Sequence, residues 1–171
     1  ENCVFRKFDR TSLQGVGPEN RIRFKNCYWR YQAPNGTDVQ NVEYSDCKFL
    51  LNSDHTPVPS EVFNDCEWRF DPVDSSSLTL QEAGGVYRLR DCETHGGQHG
   101  VRAIGDADGV ILEEFDSYDT QYSHIKFAPT ANAMDEQVEV RGGRSAAGDN
   151  INIDNSSAAV FNPLIDVNRA A

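Results

Sequence analysis

The sequence predicts an all-β solenoid, a coil of short strands whose successive turns lie in register. Three observations carry this. A cysteine preceded by Asn or Asp recurs five times, in "ENCVF", "KNCYW", "SDCKF", "NDCEW" and "RDCET". The residues around each copy alternate apolar and polar, the period of a strand. Turn residues such as "APNG", "GDADG" and "RGG" punctuate the chain, and no segment shows a helical period.

Taken in order, the anchors are Cys3, Cys27, Cys47, Cys66 and Cys92, spaced 24, 20, 19 and 26 residues apart. Position −1 is Asn2, Asn26, Asp46, Asp65 and Asp91. Position −3 is apolar in Phe24, Tyr44, Phe63 and Leu89. Position −5 is apolar in Ile22, Val42 and Tyr87, with Glu61 the exception. Position +2 is aromatic in Phe5, Trp29, Phe49 and Trp68. The template continues after the cysteines stop, with Phe115, Gly143 and Ala170 as anchors and Val110/Leu112, Val138/Val140 and Ile165/Val167 before them. A second apolar column precedes the first: Val16, Val39, Val58, Leu78, Val101, Ile125 and Ile151. Strands of this length repeating every 19 to 28 residues with no intervening helix predict a single domain over residues 1–171, of about seven turns. Like positions then stack about 4.8 Å apart.

The pattern "RIRFKNCYW" and its copies resembles the rungs of right-handed parallel β-helices, the fold of pectate lyases, polygalacturonases and many viral tailspikes. In that fold the bend between the second and third strands often carries stacked Asn, and the −1 column matches it, although three of its five members are Asp. The resemblance covers nearly the whole chain and speaks to fold more than activity. It implies a substrate groove on the outer face of the first-strand sheet. The outward residues there are Gln40, Pro59, Thr79, Arg102, Lys126 and Asn152, with His99 and His124 just before two of the strands. Arg102, Lys126, His99 and His124 form the candidate patch for a sugar carboxylate, with Arg102 the proton-abstracting base if the chain is a lyase. The bland alternative pairs these cations with Asp106, Asp108 and Asp119. "GQHGVRAIG" and "HIKF" resemble the Gly-His-Gly and Arg-Ile-Lys segments of polygalacturonases, but the Asn-Thr-Asp and paired-Asp motifs are missing. Glycoside hydrolysis needs two placed carboxyl groups. Asp106 and Asp108 in "GDADG" are the best available pair, and their carboxylate oxygens are candidate ligands for calcium.

Parallel stacking sets successive cysteine Cβ atoms too far apart for a normal disulfide. Cys3, Cys27, Cys47, Cys66 and Cys92, followed by Phe115, are therefore expected as an inward structural stack of free thiols. No cysteine spacing suggests zinc, and no other cofactor motif is present. The net charge of −11 excludes nucleic acid as a partner. No apolar run is long enough for a membrane-spanning helix. Sixteen Asp against four Lys suits a halophilic source and equally an acidic secreted protein. Glu1 and Ala171 fall beside anchors, so the expectation is a segment of a longer chain, or an open solenoid whose ends stack on neighbouring copies as a homo-oligomer. The leading functional expectation is an extracellular, cell-surface or virion-surface β-helix module, structural or binding, that contacts carbohydrate. A polysaccharide lyase or glycoside hydrolase acting on acidic polysaccharide is the alternative, and an end-to-end filament subunit the third.

Overall fold

The computed structural model describes residues 1–6, 21–31, 42–70, 76–82, 85–129, 138–145, 149–153 and 164–166. Its strands are β1 (Val4–Arg6), β2 (Ile22–Lys25), β3 (Tyr28–Tyr31), β4 (Val42–Ser45), β5 (Lys48–Leu51), β6 (Val62–Asn64), β7 (Glu67–Phe70), β8 (Leu78–Leu80) and β9 (Val86–Arg90). They continue with β10 (Glu93–His95), β11 (His99–Gly105), β12 (Gly109–Glu113), β13 (Asp116–Tyr118), β14 (Ser123–Pro129), β15 (Val138–Arg141), β16 (Asp149–Ile153) and β17 (Leu164–Asp166).

These strands form three parallel sheets, and the protein is a parallel β-solenoid. Sheet one runs β17-β15-β12-β9-β6-β4-β2, sheet two β1-β3-β5-β7-β10-β13, and sheet three β16-β14-β11-β8. Because sheet three has four strands among the described residues, the coil has about four complete three-sided turns. Seven were expected, and seven is the number of strands in sheet one alone.

The anchor template is the observed register. Phe24, Tyr44, Phe63, Leu89, Leu112, Val140 and Ile165 pair in line along sheet one. Phe5, Trp29, Phe49 and Trp68 pair in line along sheet two, and Thr94 and Ser117 continue that column. The −1 residue is the turning point between the sheets. Asn2, Asn26, Asp46, Asp65, Asp91 and Glu114 all have φ between 49° and 56°. Asn and Asp tolerate this left-handed region best among residues with a Cβ, which is the physical reason they recur there. At the next turn Gly142 takes the position with φ 65°. The stacked amide bond expected in this column exists at one step, where Asn26 Nδ2 donates to Asn2 Oδ1 at 2.7 Å. Asp46, Asp65 and Asp91 turn outward to solvent. Hydrogen bonding runs unbroken through the bend: Asp46 N donates to Asn64 O, and Glu67 N to Cys47 O, with the same pattern at neighbouring turns.

All five cysteines are free. Cys27, Cys47, Cys66 and Cys92 are buried, each thiol donating to the carbonyl two residues earlier at 3.1 to 3.4 Å. Cys3 corrects the expectation of a uniformly inward stack. It is exposed, because β1 is the edge strand of sheet two and no described strand covers it. Phe115 is buried in the anchor column as expected.

Two further readings change. Val58 does not join the second column; His55 bridges Leu78 in its place. Pro57 and Pro59 flank Val58, and proline has no N–H to give a ladder. His55 is fully enclosed and its Nδ1 accepts the indole N–H of Trp68 at 2.7 Å. Pro59 consequently leaves the outward row of sheet three. Glu61, the exception at position −5, is buried because it is satisfied. Its Oε1 accepts from Tyr44 Oη at 3.1 Å and its Oε2 from Val58 N at 2.8 Å. Val16, Val39, Gln40, Val167 and Ala170 lie outside the described residues.

Candidate functional site: the outer face of sheet three

β11 and β14 alternate. Val101, Ala103, Ile125 and Phe127 are fully buried, so Arg102 and Lys126 emerge on the opposite face. The two are direct partners in the parallel register, following Thr79 on β8 and preceding Asn152 on β16. Two cations on adjacent strands repel unless something anionic lies between them. Elsewhere the outer faces meet this problem with ion pairs: Arg23 Nε to Glu43 Oε2 at 3.0 Å, and Arg90 Nη2 to Glu113 Oε2 at 2.7 Å. Among the described residues neither Arg102 nor Lys126 comes within 4.0 Å of a carboxylate.

His99 stands at the head of β11, buried, with Nδ1 2.7 Å from Ser123 Oγ. Burial pushes its pKa down to about 4, with the positive charges of Lys126 and Arg102 adding to the effect. The imidazole is therefore neutral over the physiological range. A base of this strength is far from the near-neutral value that suits proton transfer. Tyr122, exposed, lies with its ring 5.7 Å from that of His99. Arg102 and Lys126 thus lie within electrostatic reach of a neutral imidazole, which in turn contacts an exposed aromatic ring.

His124 does not share this face. His99 is opposite Ser123 and Val101 opposite Ile125, which sets His124 opposite Gly100. Two residues from Lys126, His124 would point outward by strict alternation, but Ser123, His124 and Ile125 are all buried, so the alternation breaks before Ile125. His124 is fully buried in the interior, Nδ1 2.7 Å from Ser117 Oγ, its ring 5.7 Å from Phe115. Burial lowers its pKa to about 4, opposed by Asp116. A Cβ on Gly100 would lie 2.5 Å from the His124 carbonyl oxygen and 2.8 Å from Ser117 Cβ, so glycine is required there.

Asp106 and Asp108 occupy the bend after β11. Asp106 is exposed with its N–H on Gln81 O at 3.2 Å; Asp108 Oδ2 accepts from Gly85 N at 3.0 Å. Among the described residues no third carboxylate, thiol or imidazole joins them as a ligand group. Sequence reasoning placed Arg102, Lys126 and His99 near one another and missed Tyr122, which sits in a loop with no pattern to mark it. No family model, curated protein or solved structure matches the chain.

A separate groove of about 600 Å³ follows the bend between sheets one and two, and its lining is mostly acidic, Asp46, Asp65, Glu67, Asp91, Glu93, Glu114 and Asp116 against Lys48 and Arg144. Its negative potential favours cations and neutral hydroxyl-rich ligands over anions.

Proposed function

We propose that this chain is a non-catalytic β-helix module that holds an acidic carbohydrate on the outer face of sheet three, within an extracellular or virion-surface protein of the pectate lyase and tailspike type. The observation that carries the reading is the adjacent pair Arg102 and Lys126, without a carboxylate partner among the described residues, within electrostatic reach of His99, whose ring contacts the exposed Tyr122. A sugar carboxylate satisfies both cations at once, Arg102 offering a planar pair of donors and Lys126 a point charge. The apolar face of the sugar ring lies on Tyr122, an aromatic body with a polar tip. The neutral, weakly basic His99 offers a hydrogen bond and not a proton-transfer group, which favours binding over cleavage.

The test is calorimetric titration with oligogalacturonates and with neutral oligosaccharides of equal length. Oligogalacturonate should bind more tightly, and weaken as salt is added. Arg102→Ala and Lys126→Ala should each cost about tenfold or more in affinity, the loss of a charge-assisted bond. Equal binding of both ligands, or full binding by Arg102→Ala, rejects the site. Release of unsaturated sugars from a uronate polymer, followed by ultraviolet absorbance, rejects the non-catalytic reading.

A further inference from the structure

On the outer face of sheet two, β7 and β10 pair so that Glu93 lies opposite Glu67, and Asp116 on β13 lies opposite Glu93. Like charges directly opposite one another destabilise a sheet. His95, two residues along β10, brings its imidazole onto the same spot. Its Nε2 is 3.2 Å from Glu93 Oε1 and 4.0 Å from Glu67 Oε1. That nitrogen is closed to solvent, yet it is aligned for no hydrogen bond. Three electron-pair donors therefore converge, and the cations that touch them among the described residues, Lys48 and Arg69, both do so at Glu67. Ligand atoms of the three residues all lie within 4.8 Å of one another. Around a tetrahedral ion with bonds of about 2.0–2.2 Å, ligand atoms sit about 3.3–3.6 Å apart. The observed separations bracket that edge length.

We infer that Glu67, Glu93 and His95 form a divalent metal site, taking a borderline cation of the zinc type with one nitrogen and two oxygen ligands and a fourth position open to solvent. Mixed imidazole and carboxylate ligands select this class of ion over calcium or magnesium. The frame is prepared for it. Glu93 and His95 share one strand, Glu67 is fixed by register on the next, and the Tyr118 ring stacks on His95 at 4.9 Å. Two cations already touch Glu67: Lys48 Nζ at 2.6 Å on Oε2, and Arg69 Nε on Oε1. Both basic side chains are mostly exposed, so Arg69 can leave Oε1 to the metal while Lys48 keeps Oε2. The adjoining acidic groove raises the local concentration of cations. The bound ion would clip two successive turns together. This site lies on a different sheet from Arg102 and Lys126 and stands independently of the carbohydrate reading.

The experiment is titration of Zn²⁺, and of Co²⁺ as a spectroscopic probe, into the chelator-treated chain carrying Cys3→Ser to remove the exposed thiol. One saturable equivalent is expected, with a Co²⁺ spectrum free of thiolate charge transfer. At a metal concentration about 100 times Kd, the melting temperature should rise by about 5–10 °C. His95→Ala and Glu93→Gln should each weaken binding at least about tenfold. Asp46→Asn, in the groove but outside the triad, should leave it within about twofold. Circular dichroism of the metal-free variants separates lost binding from lost fold. No saturable binding up to about 1 mM metal, undiminished binding by a folded His95→Ala, or a thiolate band overturns the site.

Discussion

The interior before Cys92 and the interior after it are filled in opposite ways. In the first part, Phe5, Trp29, Phe49 and Trp68 stack at centroid distances of 4.9, 5.0 and 5.1 Å, nearly parallel. Beside them Phe24, Tyr44 and Phe63 stack at 5.4 and 4.8 Å. These spacings are close to the strand separation itself, so backbone register and ring stacking reinforce one another. In the second part the same sheet-two column is Thr94 and Ser117, bridged onward to Ser145. The anchor column there grows to Phe115, and His124 fills the space above Ser117. The comparison teaches that successive turns fill the interior from different columns. It also teaches that the stacking is unequal: each ring pair in the first part adds about 0.5–1.5 kcal/mol beyond area burial, while the second part packs aliphatic side chains such as Val110, Leu112 and Ile125 and sets the Ser117–His124 hydrogen bond among them.

Substitutions can break this contrast at graded cost. The largest effect is expected for Cys47→Asp, which buries a carboxylate between Cys27 and Cys66 with no cation to meet it. It should cost several kcal/mol and prevent folding of the first part, read as loss of the cooperative melt. Trp68→Ala removes a fully buried ring and leaves His55 Nδ1 without its donor; denaturant titration should show a loss of about 3–5 kcal/mol. Ser117→Ala, the matching position of the second part, should cost far less, about 1–2 kcal/mol.

Acid should act on the second part. The folded-state pKa of His124 is about 4, against the ordinary value of 6.5. Below 6.5 the unfolded chain takes up a proton that the folded chain refuses. Stability from this group is therefore complete above about pH 7 and is lost as pH falls from 6.5 to 4, by up to about 3 kcal/mol. His99, held near the same value, titrates in the same window, so His124→Gln should reduce the dependence and not abolish it, and hydrogen exchange should show β13 and β14 opening first in acid. Gly100→Ala, pressing on the same histidine, should cost about 1–3 kcal/mol through overpacking. The smallest effects belong to the bend. Asp65→Gly and Asp65→Asn should change stability by a few tenths of a kcal/mol, whereas Asp65→Val should cost about 1–2 kcal/mol because a β-branched residue resists φ of 52°.

How much of this could be read beforehand follows from which contacts are periodic. The −3 and +2 columns were legible because every turn repeats the same distance from the anchor to each strand. Arg102 beside Lys126 was legible for the same reason, since "GVRAIG" and "HIKF" share one alternation. His55 was not, because two prolines displaced the column by three residues into a stretch with no alternation. His124 was misread because the alternation that carries Lys126 outward breaks between His124 and Ile125, both fully buried. Glu67, Glu93 and His95 carry no motif spacing at all; they meet only because β7 and β10 are adjacent turns.

The sequence by itself determined the all-β class, the stacking of turns, the free thiols and the bend at each Asn or Asp. Those features depend on local alternation and on the left-handed backbone that few residue types accept. The tertiary structure alone decided which histidine faces outward, how the interior volume passes from aromatic rings to Phe115 and His124, and which charges stand together. These depend on loops of unequal length between strands, and the loop sequence carries no record of where it delivers the next strand.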